Sequence, residues 1–149
     1  MKLFQIEEPD GSPVEAAAGP GAAVGIDVAP GGIGRVAIAV GGNGELLPDA
    51  AGERALRAAS MTKLLLGLRS RAEKQLARPV THAVIAVDAA ERGGVEAAAA
   101  SSGLTLLRVL ERGAAARLAR GAAAEEAPVL GAAVAAEDVM PIQSDMGRD

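Results

Sequence analysis

Residues 23–29, AVGIDVA, form an apolar run that only Asp27 interrupts. Two further aliphatic runs follow it, HAVIAVD at 82–88 and LTLLRVL at 104–110. None of the three shows the alternation of apolar and polar residues that marks a half-exposed strand, and such runs are typical of parallel strands buried on both faces. They predict one sheet, covered on both sides by helices, with the strand at 23–29 in its centre.

The segment after the first run predicts two more strands. Pro30-Gly31-Gly32 forms a turn, and the chain then pairs back on the first strand over 34–40. The sequence GGNG at 41–44 predicts a tight hairpin, because glycine and asparagine tolerate positive φ. A short third strand is expected at 45–47.

Helices are predicted between and after the later strands. Apolar residues recur at helical spacing from Met61 to Leu76, with Ser60 as the N-cap and Pro79 as the stop signal. Further helices are expected at 91–102, at 114–124 and from Pro128 to about residue 137.

The resulting order, β-β-β-α-β-α-β-α, predicts an α/β fold with a mixed sheet, in the manner of a ribonuclease-H-like or actin-like lobe. Its two later crossovers should be right-handed and parallel. We expect a flexible N-terminal arm at 1–22, one domain at 23–137 and a frayed tail at 138–149. A chain of 149 residues leaves little room for a second domain.

Composition excludes several classes of function. The net charge of −4 and the scattered arginines argue against nucleic-acid binding, which requires a concentrated basic face. The chain has no cysteine, and it has no signal peptide or apolar run long enough to cross a membrane, so a cytoplasmic location is expected. Almost half of the apolar residues are alanine, which predicts a thin core and marginal stability.

Several blocks resemble the DnaK-type heat-shock chaperones (the heat shock protein 70 family). The stretches that carry the resemblance are VGIDV at 24–28, AEKQL at 72–76, VTHAVIAV at 80–87 and GLTLLRVL at 103–110. Weaker similarities are LGAAV at 130–134 and DVMPI at 138–142. The start, LFQIEEP at 3–9, resembles the HscA-like branch devoted to iron–sulfur cluster assembly. The resemblance implies an incomplete actin-like ATPase lobe, with ATP and Mg²⁺ as its cofactors.

The chain also departs from the family pattern. The phosphate turn Gly-Thr-Thr-Asn is replaced by Ala29-Pro30-Gly31-Gly32, which has no hydroxyl groups. The segment Asn-Glu-Pro-Thr is replaced by ERGA at 111–114, so that a guanidinium stands near the site instead of a carboxylate. The glycine-rich second phosphate loop, the second lobe and the substrate domain have no counterpart.

By resemblance, the candidate catalytic residues are Asp27 and Lys63. Asp27 ends the first strand, where a carboxylate could hold Mg²⁺ through water, or could simply cap the following turn. Lys63 lies in KLLLGLR, which is similar to a family segment whose lysine assists phosphoryl transfer; the alternative is a solvated helix lysine.

Three glycines are the candidates for cofactor binding. Gly31, Gly32 and Gly34 could present backbone N–H groups to a phosphate, or could serve only the turn between the first two strands.

Three hypotheses follow. The first is a non-hydrolysing interaction module derived from the chaperone ATPase domain, linked to protein folding or to iron–sulfur protein maturation. The second is an ATP-dependent chaperone, as the family implies, and the third is a decaying product without function. Since the family lobe packs against a second lobe, we expect a protein partner or self-association, and neither nucleic acid nor membrane as a ligand.

Overall fold

A mixed sheet lies at the centre of the computed structural model, which describes residues 21–140. The strands are β1 Ala22–Ala29, β2 Ile33–Val40, β3 Asn43–Leu46, β4 Leu56–Arg57, β5 Val80–Val87 and β6 Thr105–Glu111. The helices are α1 Met61–Leu76, α2 Val95–Ser101, α3 Arg112–Ala116 and α4 Ala127–Val139, and a 3₁₀ segment spans Ala89–Gly94. Most of the predicted arm and tail lies outside the described residues.

The strand order confirms the predicted sheet. It runs β3-β2-β1-β5-β6, and the short β4, which the sequence did not predict, lies beside the start of β2. β1 pairs antiparallel with β2 and parallel with β5, and β5 pairs parallel with β6. All eight residues of β1 are buried, as expected for the central strand of a sheet covered on both faces.

The third apolar run forms β6, an edge strand of the sheet. Leu106 and Val109 pack against the cluster on the α1 face, and Leu107 and Leu110 pack against the cluster on the opposite face, so both faces of β6 are partly covered. Thr105, Arg108 and Glu111 are nevertheless exposed, because no strand lies beyond β6. Arg108 places a charge on this open edge, and the β5–β6 register is irregular between Ala83 and Val84, two features that discourage edge-to-edge pairing.

One face of the sheet carries the larger side chains. Leu64, Leu65 and Leu68 of α1 pack with Ile26 and its neighbours on β1, and α2 joins the same cluster. The predicted cap of α1 is confirmed, since the Ser60 side chain accepts a hydrogen bond from the backbone N–H of Lys63. No helix of the part described, 21–140, is long and apolar enough to cross a membrane.

The other face is covered mainly by α4, which packs on the sheet chiefly through alanine. Its Ala132 and Ala133 lie directly over Gly25 of β1. The helix begins at Ala127, with Pro128 in its first turn, and continues past the predicted end to Val139.

The predicted helix at 114–124 is mostly turn. Only Arg112–Ala116 is helical, and Gly121 has a φ of 84°. The reason is that this alanine-rich stretch has little to bury: Ala115 is the one buried residue of α3. Helices in proteins depend on packing of an apolar face more than on propensity.

Candidate functional site

Asp27 lies near the carboxyl end of β1, and its side chain is wholly buried. Both of its oxygens accept hydrogen bonds from a single guanidinium: Arg112 donates from Nε to Oδ1 at 2.7 Å and from Nη2 to Oδ2 at 3.0 Å. This two-point geometry is the strong form of the arginine–carboxylate pair. The Asp27 carboxylate is therefore neutralised by a side chain 85 residues further along the chain.

Arg112 is positioned by the end of β6. It is the first residue of α3, so its side chain reaches back over the carboxyl ends of the parallel strands, and it remains 23% exposed. The side-chain hydrogen bond to Asp27 raises the pKa of Arg112, and the charges of Asp27, Asp88 and Glu111 act in the same direction, while burial opposes them. Asp27 is thus the acidic residue that contacts this guanidinium, while Asp88 and Glu111 favour its charged form through their negative charges.

Lys63 is not brought together with Asp27. Helix α1, which carries Lys63, packs on the face of β1 that holds Ile26, whereas Gly25 lies under α4 on the opposite face. Because side chains alternate along a strand, Asp27 belongs to the same face as Gly25. The Lys63 side chain is exposed to solvent. Its predicted role in phosphoryl transfer stays a prediction.

The glycine turn between β1 and β2 is formed as predicted. Gly31 and Gly32 have φ values of 86° and 74°. A Cβ on Gly32 would lie 2.5 Å from the carbonyl oxygen of Ala58, and one on Gly34 would lie 2.8 Å from Leu68 Cδ1. Gly32 and Gly34 therefore serve close packing, while Gly31 has open space around it. Phosphate binding by these glycines stays a prediction.

A small cleft of about 210 Å³ opens beside this turn, on the α1 face. It is lined by Gly32, Ser60 and Met61 among others, and neither Asp27 nor Lys63 lines it. Of the candidate residues, Gly32 lines this cleft, whereas Asp27 lies in a buried ion pair and the Lys63 side chain is exposed.

The donor set around Asp27 does not fit the Mg²⁺ that the resemblance implies. A protein-bound Mg²⁺ keeps several waters and is held through one or two carboxylates with free oxygens. Here both Asp27 oxygens are engaged by Arg112. Within 21–140, no three acidic, histidine or cysteine side chains lie close enough to hold a metal ion.

The sequence did not predict the partner of Asp27. In the sequence, Arg112 stands out as a departure from the family pattern, within ERGA at 111–114. The signal that could have pointed to it is its place: it follows directly after the aliphatic run of β6, and the carboxyl ends of parallel strands meet at one edge of a sheet.

Comparison with known proteins identifies the family. Residues 32–139 match the family model described as Hsp70 protein, and this range begins five residues after Asp27. The match distinguishes no branch of the family. A comparison with curated proteins gives no match. The mixed sheet with helices corresponds to part of the family's actin-like ATPase lobe, and with more than half of its residues matched, the chain belongs to the Hsp70 family.

Proposed function

We propose that this chain is a non-hydrolysing interaction module of the Hsp70 family, which acts by binding a protein partner or a second copy of itself. The observation that carries the proposal is the separation of the candidate catalytic groups. Asp27 lies in a buried ion pair with Arg112, while Lys63 and the glycine turn belong to the α1 side of the sheet.

Catalysis of phosphoryl transfer requires groups that converge on the phosphates. The reaction depends on positioning and on electrostatic stabilisation by metal ions, a lysine and backbone N–H groups. Removing one such contact commonly lowers the rate by a factor of about a hundred or more. In the described arrangement, the carboxylate, the lysine and the turn do not share one cleft, which supports the absence of turnover.

The test is ATP hydrolysis by the purified full chain with MgCl₂, measured against a buffer control and against the variant Asp27→Asn. We expect phosphate release at the level of the buffer control for both proteins. Turnover by the native chain that Asp27→Asn abolishes would overturn the proposal and would favour an ATP-dependent chaperone. Family membership over 32–139 is the observation that favours this alternative.

The interaction half of the proposal rests on the alanine-rich packing of α4. Ala132, Ala135 and Ala136 form much of the cluster that joins this helix to the sheet. Alanine buries little apolar surface, so a domain of this kind gains stability from anything that binds only its folded form. Light scattering coupled to size exclusion, together with the thermal midpoint as a function of protein concentration, tests self-association. A monomer with a concentration-independent midpoint would exclude it.

We propose further that the chain acts in protein folding or in iron–sulfur protein maturation, and that it does so in the cytoplasm. The similarity that suggests the iron–sulfur branch, at 3–9, lies outside the described residues. Co-purification from the source cells with an iron–sulfur scaffold protein, lost on deletion of 1–9, would support the link. Retention of the same partner after that deletion would show that these residues do not mediate it.

A further inference from the structure

Asp27, Asp88 and Glu111 stand at or next to the carboxyl ends of β1, β5 and β6. Asp27 is wholly buried there, and Asp88 and Glu111 act on the same guanidinium through their charges. A buried carboxylate without a cation is strongly unfavourable, because burial removes the water that would otherwise solvate its charge. An ionised Asp27 therefore requires a cation beside it; protonation of the carboxyl group is the other way in which its charge is removed.

Arg112 meets this need in full. Its guanidinium takes both carboxylate oxygens with hydrogen bonds of 2.7 and 3.0 Å. Arginine remains charged at all physiological pH values, and it is bound covalently to the chain, so the neutralising charge is never lost to solvent. The buried carboxylate that would otherwise attract a hard cation is thus neutralised by one side chain of the protein.

We infer that the Arg112 guanidinium takes the place of a divalent cation beside Asp27, at the carboxyl ends of the parallel strands. The native chain therefore binds no divalent cation there and folds without one. The inference deepens the proposed function and rests on it, because it interprets the Asp27 site as one that does not support ATP hydrolysis. It predicts in addition that a divalent-cation site appears when Arg112 is replaced by a neutral residue.

The experiment compares the full chain with Arg112→Gln and with the double variant Asp27→Asn/Arg112→Gln. MgCl₂ binding is measured by titration calorimetry, and the thermal midpoint is measured with and without MgCl₂. For Arg112→Gln we expect a midpoint about 10 °C below that of the native chain, because one partner of a buried pair is left uncompensated. We also expect MgCl₂ to restore part of the loss, with an affinity at least tenfold above that of the native chain.

Two controls separate this effect from general destabilisation. Arg108→Gln removes an exposed arginine from β6 and should change neither the midpoint nor the MgCl₂ response. The double variant removes both charges and should show no MgCl₂ response.

Three results would overturn the inference. The first is native-chain MgCl₂ binding that Asp27→Asn abolishes. The second is an Arg112→Gln protein whose midpoint does not respond to MgCl₂. The third, for an Arg112→Gln protein that is unfolded alone, is failure to recover its circular dichroism in MgCl₂. None of these readouts is ATP hydrolysis, so failure of the inference is distinguishable from failure of the proposed function.

Discussion

Gly25 of β1 lies directly against the backbone of Ala133 of α4, with no space for a side chain between them. A Cβ built on Gly25 would overlap backbone atoms of both Ala132 and Ala133. The closeness of α4 to the central strand therefore depends on this one glycine.

The variant Gly25→Ala should lower the free energy of unfolding by about 3 kcal/mol, the upper part of the range for overpacked cores, because helix backbone cannot rotate away as a side chain can. Denaturant unfolding measures the change. The matched control is Gly93→Ala in the 3₁₀ segment, where a Cβ meets nothing within 4 Å and the effect should stay within about 0.5 kcal/mol. Equal effects of the two substitutions would contradict the close packing of α4 on β1.

Two hydrogen bonds connect the C-terminal end of α4 to the β2–β3 hairpin. The Glu137 carboxylate accepts hydrogen bonds from the backbone N–H groups of Gly41, at 2.6 Å to Oε2, and of Gly42, at 2.8 Å to Oε1. Both glycines have positive φ, which turns two successive N–H groups towards one anion.

We expect Glu137→Gln to destabilise the fold by about 1 kcal/mol and to speed amide exchange at the two hairpin glycines. Hydrogen bonds to a charged group contribute about 1.5–3 kcal/mol, and exposure to solvent reduces the effect here. Amide hydrogen exchange and denaturant unfolding measure it. The control is Glu125→Gln, at an exposed position. Unchanged amide hydrogen exchange at Gly41 and Gly42 in Glu137→Gln would argue against these hydrogen bonds.

Neighbouring leucines of α1 offer a test of the core. Leu65 is wholly buried in the cluster on the α1 face of the sheet, while Leu66 is 45% exposed. Leu65→Ala should reduce the free energy of unfolding by about 2–5 kcal/mol through lost burial and a cavity. Leu66→Ala makes the same chemical change in the same helix and should stay within about 0.5 kcal/mol. If Leu66→Ala proved the more damaging, the assigned face of α1 would be wrong.

The loop before β4 predicts a pH effect. The backbone N–H of Glu53 donates to Asp49 Oδ1 at 2.8 Å and is the largest cause that lowers the pKa of Asp49 below 3.8; the N–H of Ala51 and the charge of Arg71 act in the same direction. Since the folded-state pKa is depressed, the ionised carboxylate stabilises the fold fully above the unfolded value, and this contribution is lost as the pH falls through the folded value.

The free energy of unfolding of Asp49→Asn should accordingly depend less steeply on pH at the acidic end. Near neutrality, its slope against pH should be nearly the same as in the native chain. Denaturant unfolding at a series of acidic pH values measures it, and NMR titration of the Asp49 carboxyl group checks the direction of the pKa directly. An Asp49→Asn curve parallel to that of the native chain over this interval would refute the prediction.

Sequence patterns predicted most of the sheet because they report local burial. The run at 23–29 has no polar residue except Asp27, and a strand of this kind is stable only between two others and under two layers of helices. The start of α1 was equally readable, since Ser60 and the leucines that follow it give a cap and an apolar stripe. The helix predicted at 114–124 failed because alanine favours helix everywhere and specifies no face to bury.

The sequence by itself determined the mixed α/β sheet, its central strand and the family resemblance, since these depend on the order and burial of short segments. The tertiary structure alone decided that β6 lies at an edge, that α4 covers Gly25, and that Arg112 binds Asp27. The physical reason is that apolar periodicity predicts that a residue is buried, but does not predict which residues it packs against. Which charges meet across 85 residues depends on strand order, on side-chain direction and on the space that small residues leave between layers.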